Sequence, residues 1–167
     1  VACLWEDVYM YSRAGLSAVA GRRPWSNEAK FGWFLLLSAL PAAIVAASFE
    51  SFFLEQSNRI GLIACGLAVF GVLLWAVDRG VRNKTTVKDL TMSRAALLGC
   101  GQCLALLPGV SRSGISITVA RSLGYGRSDS ARIAFLMGLP IIGGAALYRL
   151  AGVISDGLPS DMWSALA

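Results

Sequence analysis

Four long stretches of this 167-residue chain carry no charged side chain. They are 31–49, 60–77, 95–111 and 133–148, which are nineteen, eighteen, seventeen and sixteen residues long. A helix that crosses a lipid bilayer needs about 20 apolar residues, within a range of about 17–25. A soluble helical bundle would instead show a polar face at a period of about 3.6 residues, and the stretch FLLLSALPAAIVAASF has no charged face. The pattern predicts a membrane protein with several spans.

The overall composition agrees with this prediction. Hydrophobic residues make up 56% of the chain and charged residues 15%, whereas soluble domains average about 45–50% and about 25%. The same balance excludes a disordered chain, which needs few apolar residues and many charges. The length fits one unit, so we expect a single integral membrane domain over 1–167. The chain begins at Val1 rather than Met, and we expect it to be a fragment.

Basic residues are concentrated in three of the segments between the charge-free stretches. Segments 11–30, 78–94 and 121–132 carry an excess of Lys and Arg, whereas 50–59 and 155–167 do not. Short loops rich in Lys and Arg stay on the cytoplasmic side of a membrane. We therefore predict that the three basic loops are cytoplasmic and that the other two segments lie outside. The net charge of +5 then reflects topology, and no nucleic-acid partner is expected.

This orientation leaves one apolar stretch that must enter and leave the membrane on the same side. Pro108 and Gly109 interrupt the stretch 95–120, and its second part is too short to span. We therefore predict an all-α, polytopic helical bundle with a re-entrant helix pair over 95–120. The other membrane segments are predicted at about 1–20, 31–49, 60–77 and 133–154. Irregular backbone at membrane depth must face protein or a water-filled cavity, so the turn at 108–118 should line a site.

The turn at 108–118 holds Arg112, the only charged residue between Arg94 and Arg121. A guanidinium inside a membrane costs at least about 2.5–3.5 kcal/mol, so a polar or anionic partner is expected. Hydroxyls, flexible glycines and the start of a helix predicted near Gly114 all favour an anion there. These neighbours are Gly109, Ser111, Ser113, Gly114, Ser116 and Thr118. We predict a phosphate site; the alternative is that Arg112 pairs with backbone carbonyls or extends to the surface.

Two further features precede the turn. Gln102 is the one amide of its segment, and it is either a site residue or a partner for the re-entrant backbone. Cys100 and Cys103 form a Cys-x-x-Cys pattern, but a redox or metal role would need an accessible loop. We interpret both cysteines as packing residues.

The stretch 101–114, GQCLALLPGVSRSG, closely resembles the second signature of the undecaprenyl-diphosphate phosphatase family, the bacitracin-resistance proteins. The resemblance continues into ARIAFLMGLP at 131–140 and reaches back through 41–50 and 78–79. It therefore covers nearly the whole chain. The PGVSRSG core is a specific match of sequence and not of composition.

The resemblance implies an integral enzyme of the bacterial cell (inner) membrane. Members of this family hydrolyse undecaprenyl diphosphate to undecaprenyl phosphate and inorganic phosphate, and so recycle the lipid carrier of cell-wall synthesis. The resemblance implies a divalent cation, Mg²⁺ or Ca²⁺, as cofactor, and a fold of two inverted repeats, each with a re-entrant pair. The implied partners are polyprenyl diphosphate lipid, membrane lipids and a second copy of the chain in a homo-oligomer.

The same resemblance assigns roles within the turn. Arg112 is implied to bind the diphosphate, with Ser111 and Ser113 lining the same catalytic pocket. The candidate substrate-binding residues are Gly109, Gly114, Ser116, Thr118 and Gln102.

The chain departs from the family pattern in two places. Ile115 and Ser116 stand where the family has Ala and Thr, so the hydroxyl is kept while the pocket wall is bulkier. The family's first signature, with a Glu pair, a Ser and a His, has no match, and the chain contains no His, the commonest general base. We expect these groups upstream of Val1, so that this chain alone is inactive and carries no metal ligands.

Two other functions fit the same features. A helix N-terminus that meets an anion inside the membrane is also found in secondary transporters, so a lipid-phosphate flippase or transporter is one alternative. A catalytically incomplete membrane segment retained for assembly is the other, which the lack of His would allow.

Overall fold

The computed structural model describes residues 5–21, 24, 26–49, 59–81 and 85–156, and nearly all of them are helical. Within these ranges there are seven α-helices and two short 3₁₀ turns. The α-helices are α1 Trp5–Val19, α2 Asn27–Ser38, α3 Leu40–Ser48, α4 Ile60–Gly80, α5 Met92–Cys103, α6 Arg112–Ser122 and α7 Arg127–Asp156. The prediction of an all-α bundle is confirmed.

Three helical stretches of the described chain are long and apolar enough to cross a membrane, as judged by length and composition. They are Asn27–Ser48, which combines α2 and α3, Ile60–Gly80, which is α4, and Arg127–Val153 of α7. These stretches overlap the segments 31–49, 60–77 and 133–154, whose crossing of the membrane stays a prediction. No residue of α4 is buried, and a helix that is apolar all round and exposed is typical of a membrane span.

The helices extend beyond the charge-free stretches into the segments predicted as loops. α4 continues to Gly80, α6 continues to Ser122, and α7 already begins at Arg127. The predicted loops 11–30, 78–94 and 121–132 are therefore too long. The physical reason is that charged side chains are tolerated at the ends of membrane helices, where they reach the interface or pair with one another. Most of the predicted loop 50–59, the tail beyond 156 and residues 1–4 lie outside the described residues.

The first span is interrupted between α2 and α3. Ala39 separates the two helices, and Pro41 lies in the first turn of α3, where a missing N–H is tolerated. Helix α5 packs against this break, since a Cβ atom added to Gly99 would lie 2.3 Å from the carbonyl oxygen of Ser38. Only a glycine allows the two backbones to approach this closely.

Helices α5 and α6 form the helical hairpin that was predicted at 95–120. They are about 18 Å and 17 Å long at a rise of about 1.5 Å per residue, well short of a hydrocarbon core of about 30 Å. The open ends of the hairpin lie together, because the Thr85 N–H donates to the Gly124 carbonyl at 3.1 Å. We call this end, formed by 85–91 and 122–127, the mouth, and the turn at 107–111 the tip.

Helix α6 is enclosed by its neighbours. It packs most extensively on α7 and also contacts α4 and α5, whereas α1 packs on α2. The core beside α6 contains Leu98, Ala120, Ile133 and Met137, which are all fully buried or nearly so. This enclosure fixes the direction in which the first residues of α6 project.

The part of the mouth that precedes α5 is ordered by a capping box. The Asp89 carboxylate accepts hydrogen bonds of 2.9 Å from the backbone N–H and from the hydroxyl of Thr86. The backbone bond, and after it the hydroxyl bond, hold the pKa of Asp89 below its usual value. The carboxylate therefore stays ionised, and continues to order the segment, at neutral and mildly acidic pH.

Candidate functional site

The tip of the hairpin lies directly on helix α4. Gly109 has a φ of +84°, and a Cβ atom at this position would lie 2.1 Å from the carbonyl oxygen of Ile63. A Cβ atom on Gly66 would lie 2.6 Å from the carbonyl oxygen of Pro108. Glycine is required on both sides of this contact. Gly109, which was predicted to bind the ligand, therefore allows the tip to pack closely against α4.

Helix α6 begins at the tip with a capped and exposed N-terminus. The Ser111 hydroxyl caps the helix by accepting a hydrogen bond of 3.2 Å from the Gly114 N–H. It lies 3.3 Å from the Ser113 hydroxyl, and both serines are exposed. The helix starts at Arg112, two residues before the predicted start near Gly114. The first N–H groups of the helix have no carbonyl within the helix to pair with.

Arg112 projects from this N-terminus as an exposed side chain. In the described part of the chain its guanidinium has neither a hydrogen bond nor an ion pair, whereas Arg121, Arg127 and Arg132 each pair with a carboxylate. Of the two forms of the alternative, pairing with backbone carbonyls is not found among the described residues. The exposed side chain fits both a phosphate site and extension to the surface. A free guanidinium, two exposed hydroxyls and the positive end of a helix dipole form a group that attracts phosphate.

Ser116 and Thr118 lie apart from this exposed group. Their side chains are buried, at 1% and 5% exposure. Each hydroxyl donates to the carbonyl four residues earlier in α6, at 2.9 Å to Arg112 and 2.8 Å to Gly114. Residues at these positions face the neighbouring helices, so the structure does not bring the two hydroxyls to the surface that Arg112, Ser111 and Ser113 share.

Gln102 is buried in α5 with 2% exposure. Neither its side-chain oxygen nor its side-chain nitrogen has a hydrogen-bond partner among the described residues, so the predicted bond to the re-entrant backbone is absent. It lies one turn from Gly99, on the face of α5 that packs against α2 and α3. An unpaired buried amide costs about 1–3 kcal/mol, and its side chain is therefore free to pair with a ligand, a water or another segment.

Inspection of the sequence missed a cluster of charges at the mouth. Asp78, at the end of α4, forms ion pairs with Arg121 at 2.8 Å and with Arg127 at 2.7 Å. A second pair joins Asp7 of α1 to Arg132 of α7. The partners are 43, 49 and 125 residues apart. No local pattern predicts a pairing over such separations.

The donor set of the tip does not match a divalent cation. Mg²⁺ and Ca²⁺ bind mainly to carboxylate and carbonyl oxygens, and the tip offers hydroxyls beside a cationic guanidinium. No group of three or more His, Cys, Asp or Glu residues able to hold a metal occurs in the described ranges. These residues therefore fit an anion and not a metal ion.

Comparison with known proteins identifies relatives over the whole chain. The family described as bacitracin resistance protein BacA matches residues 1–166. The undecaprenyl-diphosphatase of Geotalea daltonii is 37% identical over 156 residues, which cover 93% of this chain and 58% of the relative. Those of Anaeromyxobacter sp. and Pelobacter propionicus are 42% and 38% identical, and the matches cover 82% and 93% of this chain and 45% and 57% of the relatives. The chain thus spans about half the length of the curated relatives it matches.

Proposed function

Because this chain belongs to the bacitracin resistance protein BacA family, we propose that it supplies the diphosphate-binding half of an enzyme that hydrolyses undecaprenyl diphosphate to undecaprenyl phosphate and phosphate. Relatives that match most of the chain are named undecaprenyl-diphosphatase. The observation that carries the proposal is the exposed, unpaired Arg112 at the start of α6, with Ser111 and Ser113 beside it. The reaction returns a lipid carrier to cell-wall synthesis.

The arrangement at the tip suits one part of this chemistry. Hydrolysis of a phosphoanhydride requires that charge on the phosphoryl oxygens be neutralised, that water be aligned and that protons be transferred. Arg112 supplies the positive charge in a forked geometry that matches phosphate oxygens. The Ser111 and Ser113 hydroxyls and the first N–H groups of α6 supply further donors. The chain has no His, so the proton-transfer groups are not proposed among the residues of the tip.

The remaining predicted residues act around this group. We assign Gly109 and Gly114 to the shape of the turn that presents Arg112. Ser116 and Thr118 support α6 from its buried side, and Gln102 offers its amide, unpaired among the described residues, from the buried face of α5 within the hairpin. A divalent cation remains part of the proposed reaction, although the described residues do not offer a set of ligands that would bind it.

An apolar cavity provides a place for part of the isoprenoid chain. It has a volume of about 370 Å³ and lies between α1, α2 and α7, where its wall includes Leu136, Leu139 and Pro140. Helix α7, which lines this cavity, is also the helix on which α6 packs most extensively. We propose polyprenyl diphosphate as substrate, in a single membrane domain that also contacts bilayer lipids and forms a homo-oligomer.

We propose an inner-membrane, multi-pass topology in which 11–30, 78–94 and 121–132 face the cytoplasm. In a cysteine-free variant, Lys88→Cys at the mouth should react with a membrane-impermeant thiol reagent only after the membrane is opened. Arg59→Cys, at the opposite end of α4, is the matched control and should react in intact cells. The excess of Lys and Arg beside the mouth is the physical reason. Labelling of Lys88→Cys in intact cells would show that the orientation is inverted.

The function is tested with the protein expressed from its complete gene and reconstituted into vesicles that contain undecaprenyl diphosphate. We expect release of inorganic phosphate and accumulation of undecaprenyl monophosphate, because the tip is suited to hold the diphosphate during hydrolysis. The same vesicles report movement of the lipid between leaflets. Movement without release of phosphate would contradict the enzyme and favour a lipid-phosphate transporter, and neither activity would favour an incomplete segment.

A further inference from the structure

The buried guanidinium of Arg121 joins the far end of α6 to the end of α4. Its exposure is 2%, and its Nε donates to the Asp78 carboxylate at 2.8 Å. One terminal nitrogen donates to the Tyr125 carbonyl at 2.6 Å, and the other donates to the carbonyls of Asp78 and Val81 at 3.0 Å and 3.4 Å. The cation thus meets a carboxylate and the carbonyl end of α4, where the helix dipole is negative.

The tip and this ion pair attach the hairpin to α4 at two separate points. At the tip, Gly109 lies against Ile63 and Gly66, and at the mouth Arg121 pairs with Asp78. Both α4 and α6 run from the tip to the mouth, so α4 holds the hairpin beside both ends of α6.

We infer that the Asp78–Arg121 pair is a positioning pair, which fixes the depth and rotation of α6 and thereby holds Arg112 where the diphosphate binds. The inference rests on the proposed function of Arg112. The two groups do not touch the substrate, since Arg121 lies at the opposite end of α6 from Arg112. With the pair broken, the mouth end of α6 is no longer tied to the end of α4, so α6 can shift within its packing against α5 and α7. The arginine fork then loses its alignment with the phosphate oxygens.

Arg127 offers a matched control for this pair. It also bonds to Asp78, at 3.0 Å and 2.7 Å, but 74% of its side chain is exposed. Exposed ion pairs contribute little, whereas removing one partner of a buried pair leaves an uncompensated charge. Arg127→Gln should therefore leave α6 in place, and Asp78→Asn should not.

The experiment measures kinetics and distance in the protein expressed from its complete gene. We expect Asp78→Asn to raise KM for undecaprenyl diphosphate at least about fivefold, because the fork in α6 is displaced. A loss of folded protein would lower kcat and leave KM unchanged. Arg127→Gln should change KM less than about twofold, and Asp78→Glu, which keeps the charge, should restore most of the affinity.

A second readout does not depend on activity. Spin labels on exposed Val72 of α4 and exposed Ser122 at the mouth end of α6, in a background without native cysteines, report how α6 sits on α4. Asp78→Asn should shift or broaden the distance distribution, and Arg127→Gln should not. An unchanged KM and an unchanged distribution in Asp78→Asn would overturn the inference. If Asp78→Asn does not accumulate, Arg121→Lys, which keeps the buried charge but loses the fork, is judged by the same criteria.

The two proposals fail in different ways. If the unaltered protein releases no phosphate, the proposed function is wrong, and the distances still test whether the pair positions α6. If phosphate release is normal and the distances in Asp78→Asn do not change, the positioning role is wrong and the function stands.

Discussion

Replacing Arg112 with alanine is expected to reduce the release of phosphate from undecaprenyl diphosphate about 100- to 1000-fold, the range for loss of one preorganised donor to a developing charge. The guanidinium is exposed at the start of α6 and has no carboxylate partner in the described part of the chain. Its removal therefore disrupts no internal ion pair, and the protein should still insert into the membrane. Phosphate release and the amount of membrane-extracted protein are measured on the same preparations.

Two further variants test whether the loss of activity is specific to the guanidinium of Arg112. Arg112→Lys keeps the charge but loses the fork that matches phosphate, so its activity should lie between that of the unaltered protein and that of Arg112→Ala. Arg79→Ala removes another exposed arginine, which stacks on Trp75 at 4.3 Å, and should leave activity within about twofold. Retention of more than about a tenth of the activity in Arg112→Ala, a loss below about 1.4 kcal/mol, would contradict the assignment of the site.

The second large effect is expected from alanine at Gly109. The new Cβ atom would lie 2.1 Å from the Ile63 carbonyl oxygen, and the φ of +84° is itself unfavourable for a residue with a side chain. Overpacking costs about 1–3 kcal/mol and the left-handed backbone about 1–2 kcal/mol. We expect the free energy of unfolding in detergent to fall by about 2–5 kcal/mol, with loss of phosphate release as the tip separates from α4.

Two glycines of α4 test the same contact from its other side, one as a second disruptive change and one as a control. Gly66→Ala would place a Cβ atom 2.6 Å from the Pro108 carbonyl oxygen, so it should destabilise by about 1–3 kcal/mol. Gly71→Ala is a matched change in the same helix with nothing within 4 Å and should be neutral or slightly stabilising. Equal stability of the Gly66→Ala and Gly71→Ala proteins would mean that the tip does not rest on α4.

The spans and the location of the tip are predictable because each depends on neighbouring residues in the chain. A helix in lipid excludes charge over most of its length, which marks the charge-free stretches 31–49, 60–77 and 133–148 without any tertiary information. Pro108 and Gly109 interrupt a helix wherever they occur together. The start of α6 was misplaced by two residues because Ser111, and not a residue nearer Gly114, provides the cap.

The division of the polar residues of α6 between an exposed and a buried face was not predictable. Ser111 and Ser116 are both hydroxyls near Arg112 in sequence, yet only the first shares its surface. The rotation of α6 decides this, and that rotation is fixed by contacts with α4 and α7 and by the pairing of Arg121 with Asp78. Interactions between residues 43 positions apart leave no periodic pattern. The helices also extend into segments that were predicted as loops from their charges, because those charges pair with residues that are distant in the sequence.

The shortness of α5 and α6 also constrains how the protein is made. A segment that cannot cross the bilayer cannot be released into lipid by itself, since its terminal backbone groups would be left without partners in hydrocarbon. The hairpin must therefore be retained until it packs on α4 on one side and is covered on the other by α7, which is synthesised after it. Assembly of the proposed phosphate site then follows the synthesis of α7, which supplies none of the residues assigned to that site. In a nascent chain that is halted before α7, α6 should remain uncovered on one side and should be degraded by the cell's quality-control proteases.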